Sequence, residues 1–260
     1  MLMYPSIDPV AFHIGSWPVY WYGLAYLVGL MLAWILMSWR ARKSGQFTQE
    51  QVSDILFYSA LGIILGGRLG YMLFYDWHVL LSDPLMIFET WKGGMAFHGG
   101  LLGVALALWW LSRRLKRPIF ELTDFVAPMV PLGLFLGRLG NFVNDELWGR
   151  ITDVPWGMVF PTGGPLPRHP SQLYEAFLEG LVLFLILWFY SRKPRPLGAV
   201  SGLFLLFYGI FRFFIECFRQ PDFQIGYFWD WFTEGQLLSL PMILFGVIML
   251  AWAYKKKERS

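Results

Sequence analysis

The stretch Pro9–Trp39, PVAFHIGSWPVYWYGLAYLVGLMLAWILMSW, holds no Asp, Glu, Lys or Arg and lies between Asp8 and Arg40. A membrane-spanning helix needs about 20 predominantly apolar residues, so a run of this kind reads as a span. Two further charge-free windows repeat the signal: Gly93–Ser112 between Lys92 and Arg113, and Gly235–Tyr254 between Glu234 and Lys255. Four more apolar runs are interrupted by charge: about 54–76 with Arg68, about 120–138 ending at Arg138, about 174–190 opening with Glu175 and Glu179, and about 198–217 with Arg212 and Glu216. The expected architecture is an all-α polytopic membrane protein of seven transmembrane helices, forming one membrane domain over residues 1–260.

Composition points the same way. Of 260 residues 56% are hydrophobic and 15% charged, with a mean hydropathy of +0.47, whereas a soluble domain carries about 25% charged residues. This excludes a soluble two-domain enzyme, a disordered chain, a collagen-like repeat and a nucleic-acid binder, which needs a broad basic face. The single cysteine, Cys217, cannot form an internal disulfide and reads as a small packing residue. No Lys or Arg precedes Arg40, so the first run lacks the basic region of a cleaved signal and reads as a permanent span.

Basic residues set the orientation. Arg40, Arg42 and Lys43 follow the first run; Arg113, Arg114, Lys116 and Arg117 the third; Arg192, Lys193 and Arg195 the fifth; Lys255, Lys256, Lys257 and Arg259 the seventh. By the positive-inside rule these four clusters share the cytoplasmic face, which places the N-terminus outside and the C-terminus inside. The seven remaining basic residues are Arg68, Lys92, Arg138, Arg150, Arg168, Arg212 and Arg219. All fall toward the outer side, with Arg68, Arg138 and Arg212 in the outer halves of their spans.

An arginine inside the bilayer costs about 2.5–3.5 kcal/mol on insertion scales and needs a partner or a wet cavity. One reading is structural ion pairing, such as Arg212 with Glu216 at i,i+4, together with snorkelling to the headgroups. For a cluster on one side with few intramembrane carboxylates, the favoured reading is an anionic ligand, and the anion at hand is a phospholipid headgroup. Tyr208, Arg212, Glu216 and Arg219 follow one helical stripe, so a phenol, two cations and an anion share a face.

Other residues are assigned by spacing. Gly62, Gly66 and Gly70, with Gly99, Gly103, Gly133 and Gly137, read as helix-packing positions. The proline-rich stretch 140–172 reads as an external cap between the fourth and fifth spans. His13, His78 and His169 read as structural or solvated. His98, in Met95-Ala96-Phe97-His98-Gly99-Gly100, is either structural or a general base, since nearby positive charge favours a neutral imidazole. No metal-ligand spacing, nucleotide loop or serine-nucleophile motif is present.

Gly137-Arg138-Leu139-Gly140-Asn141-Phe142-Val143-Asn144-Asp145-Glu146-Leu147-Trp148-Gly149-Arg150 resembles the signature of the bacterial prolipoprotein diacylglyceryl transferases. Agreement extends to Trp21-Tyr22-Gly23, to Phe97-His98-Gly99-Gly100, to the run from Arg168 through Glu175, and to Tyr208-Gly209 through Arg212, Glu216 and Phe218-Arg219-Gln220-Pro221-Asp222. The visible departure is Asp145, where many members have glycine.

The resemblance implies a multi-pass enzyme of the bacterial inner membrane whose active site faces the periplasmic leaflet. Its substrates would be phosphatidylglycerol and a prolipoprotein carrying a lipobox cysteine. A thioether forms and glycerol phosphate leaves, with no cofactor, metal or nucleic acid involved. On this reading His98 takes the thiol proton, and Arg138 and Arg212 neutralise the departing phosphate. Tyr22, Asn141, Glu146, Tyr208, Glu216, Arg219 and Arg68 would bind or orient substrate. The competing class is a transporter or receptor, but a transporter calls for duplicated halves and broken helices at the bilayer midplane, which the charge pattern does not show.

Overall fold

The computed structural model describes residues 2–74, 76–88, 93–221 and 231–258; Lys92, Asp222 and Arg259, named above, lie outside them. In chain order the elements are β1 (Leu2–Met3), β2 (Val10–Ile14), β3 (Trp17–Tyr20), α1 (Trp21–Ser44), α2 (Gln49–Phe74), α3 (Trp77–Ser82), α4 (Phe97–Arg114), α5 (Ile119–Val126), α6 (Val130–Val143), β4 (Met158–Val159), α7 (Ser171–Glu175), α8 (Leu183–Tyr190), α9 (Ala199–Ile215) and α10 (Glu234–Glu258). A 3-10 turn, Ala127–Met129, joins α5 to α6, and a π-helical stretch, Ala176–Val182, joins α7 to α8. Five stretches are long and apolar enough to cross a membrane: Trp21–Ser44, Gln49–Phe74, Ile119–Val143, Ser171–Tyr190 and Glu234–Lys257; Ala199–Ile215 is a shorter apolar helix.

The first apolar run is only partly helical, which corrects the expected span from Pro9. Val10–Ile14 and Trp17–Tyr20 pair as an antiparallel hairpin, and α1 starts at Trp21. The physical reason is local: β-branched and aromatic residues flank Gly15, whose φ of +62° closes the turn. The 24 residues left to α1 still span about 36 Å at 1.5 Å each.

The chain divides into two units, Met1–Ala33 with Asp124–Ser260, and Trp34–Thr123. In the smaller unit α2 and α4 pack through glycine. A Cβ on Gly70 would lie 2.7 Å from the Cα of Gly99, and Gly62 and Gly66 meet the backbone of Gly103 as closely. Small residues let the two backbones approach where lipid offers no hydrophobic drive to association.

The larger unit is held by side chains that close helix ends. The Tyr4 hydroxyl lies 2.8 Å from the carbonyls of both Phe142 and Val143, at the end of α6, and its ring packs on Phe142 and Phe160. Asp124 accepts from the backbone N–H of Gly198 (2.7 Å) and Ser201 (2.8 Å), capping α9 from a distance in sequence of more than seventy residues. α9 lies against α10 through Gly202, Gly209 and Gly246, while Leu183, Leu187, Val200 and Ala127 form the core beneath them.

Between α6 and α7 the chain is irregular and tied by backbone. Gly149 pairs with Arg219, and Arg168 pairs with both Ile151 and Met158. Arg168 donates to the carbonyls of Gly163 and Gly149 and stacks over Trp148, and Arg150 donates to those of Arg219 and Glu216. Two of the arginines expected on the outer side are thus engaged by backbone carbonyls. Burial holds the His169 imidazole below the usual histidine range, and its Nδ1 meets the Tyr174 hydroxyl at 3.2 Å.

Candidate active site

Within the larger unit, α6, the α7–α8 helix and α9 bring their ionisable side chains together. Arg138 and Asn141 come from α6, which continues past Arg138 to Val143 rather than ending there. Glu175 closes α7, and Glu179 stands in the π-helical turns that follow. Arg212 lies in the last turn of α9, Glu216 caps it, and Arg219 follows in a turn, so the expected stripe bends at its C-terminal end.

One carboxylate oxygen joins the two inner arginines. Glu175 Oε2 lies 2.8 Å from Arg138 Nε and 3.0 Å from Arg212 Nη1. The other side of the Arg212 fork meets Glu216 Oε1 at 2.5 Å, and Arg219 Nη1 reaches that same oxygen at 3.4 Å. Thr233 donates its hydroxyl to Glu216 Oε2 at 2.7 Å. Glu179 Oε1 lies 3.7 Å from Arg212 Nη1.

This corrects the expectation that the cluster had too few carboxylates. Glu175, Glu179 and Glu216 face Arg138, Arg212 and Arg219, one acid for each base. Glu175 and Glu179 are fully buried. Charges this deep persist only when paired, because taking an ion from water costs several kcal/mol. Sequence reasoning had noticed both acids as interruptions of an apolar run and gave them no role. Their i,i+4 spacing inside that run was the available signal, since it sets two carboxylates on one helix face.

The expected ligands around the arginines are partly assembled. Arg138 Nη1 donates to Asn141 Oδ1 at 3.2 Å, and Asn141 Nδ2 donates to Glu146 Oε1 at 2.8 Å, a relay running outward from the buried pair. The start of α7 fixes the turn carrying Glu146: Gln172 Nε2 donates to its carbonyl at 2.7 Å and Ser171 Oγ to that of Leu147 at 3.0 Å. Tyr22 lies against Gly140, where a Cβ would sit 2.6 Å from Cδ2, and its hydroxyl meets that of Tyr26 at 3.2 Å. Tyr208 stacks on Phe204 one turn before Arg212. A cavity of about 350 Å³ opens beside Glu146 and Arg219, with Asn144 and Trp148 in its wall.

Two expected residues belong to the smaller unit. His98 is exposed in the first turn of α4. Arg68 is buried and donates to the backbone carbonyls of Met86 (2.7 Å), Ile87 (3.3 Å), Gly93 and Gly94 (3.2 Å). Gly94 is required there, with a φ of +77° and Arg68 Nη1 only 2.9 Å from where a Cβ would stand. Arg68 therefore holds a loop, and its guanidinium is committed where a headgroup ligand was expected. Cys217, expected to pack inside, is exposed.

Comparison with known proteins finds relatives over nearly the whole chain. The family model for prolipoprotein diacylglyceryl transferase matches residues 9–252. The phosphatidylglycerol–prolipoprotein diacylglyceryl transferase of Coxiella burnetii is 59% identical over 261 residues, covering 100% of both chains. That of Photobacterium profundum is 58% identical over 260 residues, covering 100% of this chain and 98% of its own. The Pseudomonas aeruginosa protein of the same name is 57% identical over 258 residues, covering 98% and 97%. The family model over residues 9–252 and relatives 57–59% identical across nearly the whole chain make this chain a member of the prolipoprotein diacylglyceryl transferase family.

Proposed function

We propose that the chain transfers the diacylglyceryl group of phosphatidylglycerol to the lipobox cysteine of a prolipoprotein, the first step of lipoprotein maturation. The observation that carries this reading is the pair of half-buried guanidiniums, Arg138 and Arg212, from separate helices and drawn onto one buried carboxylate oxygen. Both forks thus converge on one anionic oxygen, and a phosphodiester, a tetrahedral monoanion with two unesterified oxygens, offers them the same kind of acceptor.

The chemistry is displacement at carbon. The thiol loses its proton, sulfur bonds to the glycerol carbon, and the C–O bond to phosphate breaks with its electron pair leaving on oxygen. Charge on the departing phosphate rises during this step, so Arg138 and Arg212 bind the transition state more tightly than the intact diester. Asn141 and Glu146 hold Arg138 in line, Tyr22 and Tyr208 flank the headgroup, and Arg219 with Glu216 guards the outer rim. His98 is the proposed proton acceptor on chemical grounds: a thiol of ordinary pKa near about 8.5 needs a base at neutral pH.

The proposed topology has seven spans, counting Phe97–Arg114 and Ala199–Ile215 with the five longer ones, and residues 140–172 as a periplasmic cap. Four helix ends support one cytoplasmic face. Lys43 sits over Trp39, Arg113 over Trp109, Arg192 over Phe189 and Lys256 over Trp252, each a cation on an interfacial ring. In the bacterial inner membrane this topology would put Arg138 and Arg212 toward the periplasmic leaflet.

The test is mass spectrometry of a lipobox peptide incubated with the purified protein and phosphatidylglycerol vesicles. A diacylglyceryl mass increment on the cysteine peptide, absent from a serine peptide, is expected; no increment overturns the reading in favour of a lipid-binding receptor or transporter. His98→Asn should lose activity near neutrality and regain it where the thiol ionises by itself. Uniform loss at all pH values would make His98 a positioning residue.

A further inference from the structure

Glu175 and Glu179 lie one turn apart with no exposed surface, yet they are satisfied differently. Glu175 Oε2 accepts from two arginines. Among the described residues neither oxygen of Glu179 has a hydrogen-bond partner, and its ion pair with Arg212 Nη1 is long, at 3.7 Å. A buried carboxylate without hydrogen bonds is costly and calls for an explanation. It also stands in the π-helical stretch Ala176–Val182, a geometry that is rare and concentrated at functional sites. Gly180, its neighbour, packs against Phe135 of α6, so the backbone carrying Glu179 is closely packed while, among the described residues, its carboxylate accepts no hydrogen bond.

The charge balance supplies the explanation. Three carboxylates already neutralise three guanidiniums, so an arriving phosphodiester must displace one of them, and a departing phosphate monoester carries more charge than the diester that entered. Glu216 is tied by Arg212, Arg219 and Thr233, and Glu175 by Arg138 and Arg212. Glu179 has no hydrogen bond to lose.

We propose that Glu179 is the exchangeable counter-ion of Arg212: it yields to the phosphate of phosphatidylglycerol and re-pairs with Arg212 to expel glycerol phosphate. This makes it a positioning residue that governs headgroup affinity and product release without touching the reacting atoms. The inference rests on Arg212 as a phosphate ligand.

Glu179→Gln keeps the shape and removes the competing charge. In vesicles of phosphatidylglycerol with a lipobox peptide, its KM for the lipid should fall and its kcat should fall with it as release slows. Inhibition by added glycerol phosphate should tighten by about tenfold. Glu179→Asp, which withdraws the carboxylate by one methylene, should fall between, and it decides the matter if the Gln variant does not fold. Unchanged or weaker glycerol phosphate inhibition in the folded variant overturns the proposal. Arg212→Lys separates the two readings. If it leaves glycerol phosphate affinity unchanged, the phosphate role of Arg212 fails; if it weakens that affinity while the Glu179 variants do nothing, Arg212 stands and Glu179 falls.

Discussion

Gly66-Gly67-Arg68-Leu69-Gly70 on α2 and Leu136-Gly137-Arg138-Leu139-Gly140 on α6 are nearly the same five residues, each with an arginine in an apolar helix. Their surroundings separate them. Arg68 is enclosed by carbonyls of the segment around Met86–Ile87 and Gly93–Gly94, acceptors that belong to the backbone and cannot leave without opening that loop. Arg138 faces Glu175 and Asn141, side-chain acceptors of which one is an anion. A carbonyl cage satisfies a guanidinium permanently, whereas a carboxylate partner can be exchanged for another anion. On the proposed function, the difference between a structural arginine and a chemical one is set by what lies opposite, and the local sequence is silent about it.

The comparison breaks most visibly in activity. Arg138→Ala or Arg212→Ala should lower transfer to a lipobox peptide by about 100- to 1000-fold, the range for removing one donor that acts on developing negative charge. Both proteins should remain folded by circular dichroism. If either variant transfers at a near-wild-type rate, the phosphate role is wrong and the two pentapeptides are alike after all.

Arg68→Ala should act in the other currency. Removing a buried guanidinium leaves several carbonyls without donors, which destabilises by about 3 kcal/mol. Thermal unfolding in detergent should shift down accordingly, while transfer per folded molecule at low temperature stays much closer to wild type than in Arg138→Ala. A collapse of activity without loss of stability would return Arg68 to the substrate.

Asp145 gives the smallest effect. It holds a φ of +55°, a region glycine enters freely, and its Oδ2 accepts from the Thr162 N–H at 2.8 Å. Asp145→Gly relieves backbone strain and loses that hydrogen bond, two contributions of about 1 kcal/mol and opposite sign. The unfolding midpoint should move little and transfer should be unchanged; a large loss would show that the Asp145 carboxylate shapes the neighbouring cavity.

Much of the fold was legible because lipid imposes simple rules. Charge-free length marked α1, α4 and α10. Of the glycines assigned to packing, Gly62, Gly66, Gly70, Gly99 and Gly103 meet between α2 and α4, whereas on α6 a Cβ at Gly133 would meet nothing within 4 Å and one at Gly137 only the Tyr26 hydroxyl at 3.9 Å. The hairpin Val10–Tyr20 was not legible, since apolar residues on strands and helices look alike when no charge marks the period. Within the site, Arg138, Asn141 and Glu146 could be read together because they follow one another on one helix and the turn after it. Glu175 could not be joined to Arg212 by any local pattern, since 37 residues separate them.

The sequence by itself determined the solvent and the chemistry on offer. Too few charges to face water and too many arginines to be idle in lipid follow from composition and spacing, and the signature from Gly137 to Arg150 identifies the family. Tertiary structure decided which arginines are available. Helices distant along the chain place Glu175 and Glu179 against Arg138 and Arg212, while a loop closes over Arg68. The physical reason is that a buried charge is defined by its partners, and partners across a helix interface leave no trace in local sequence.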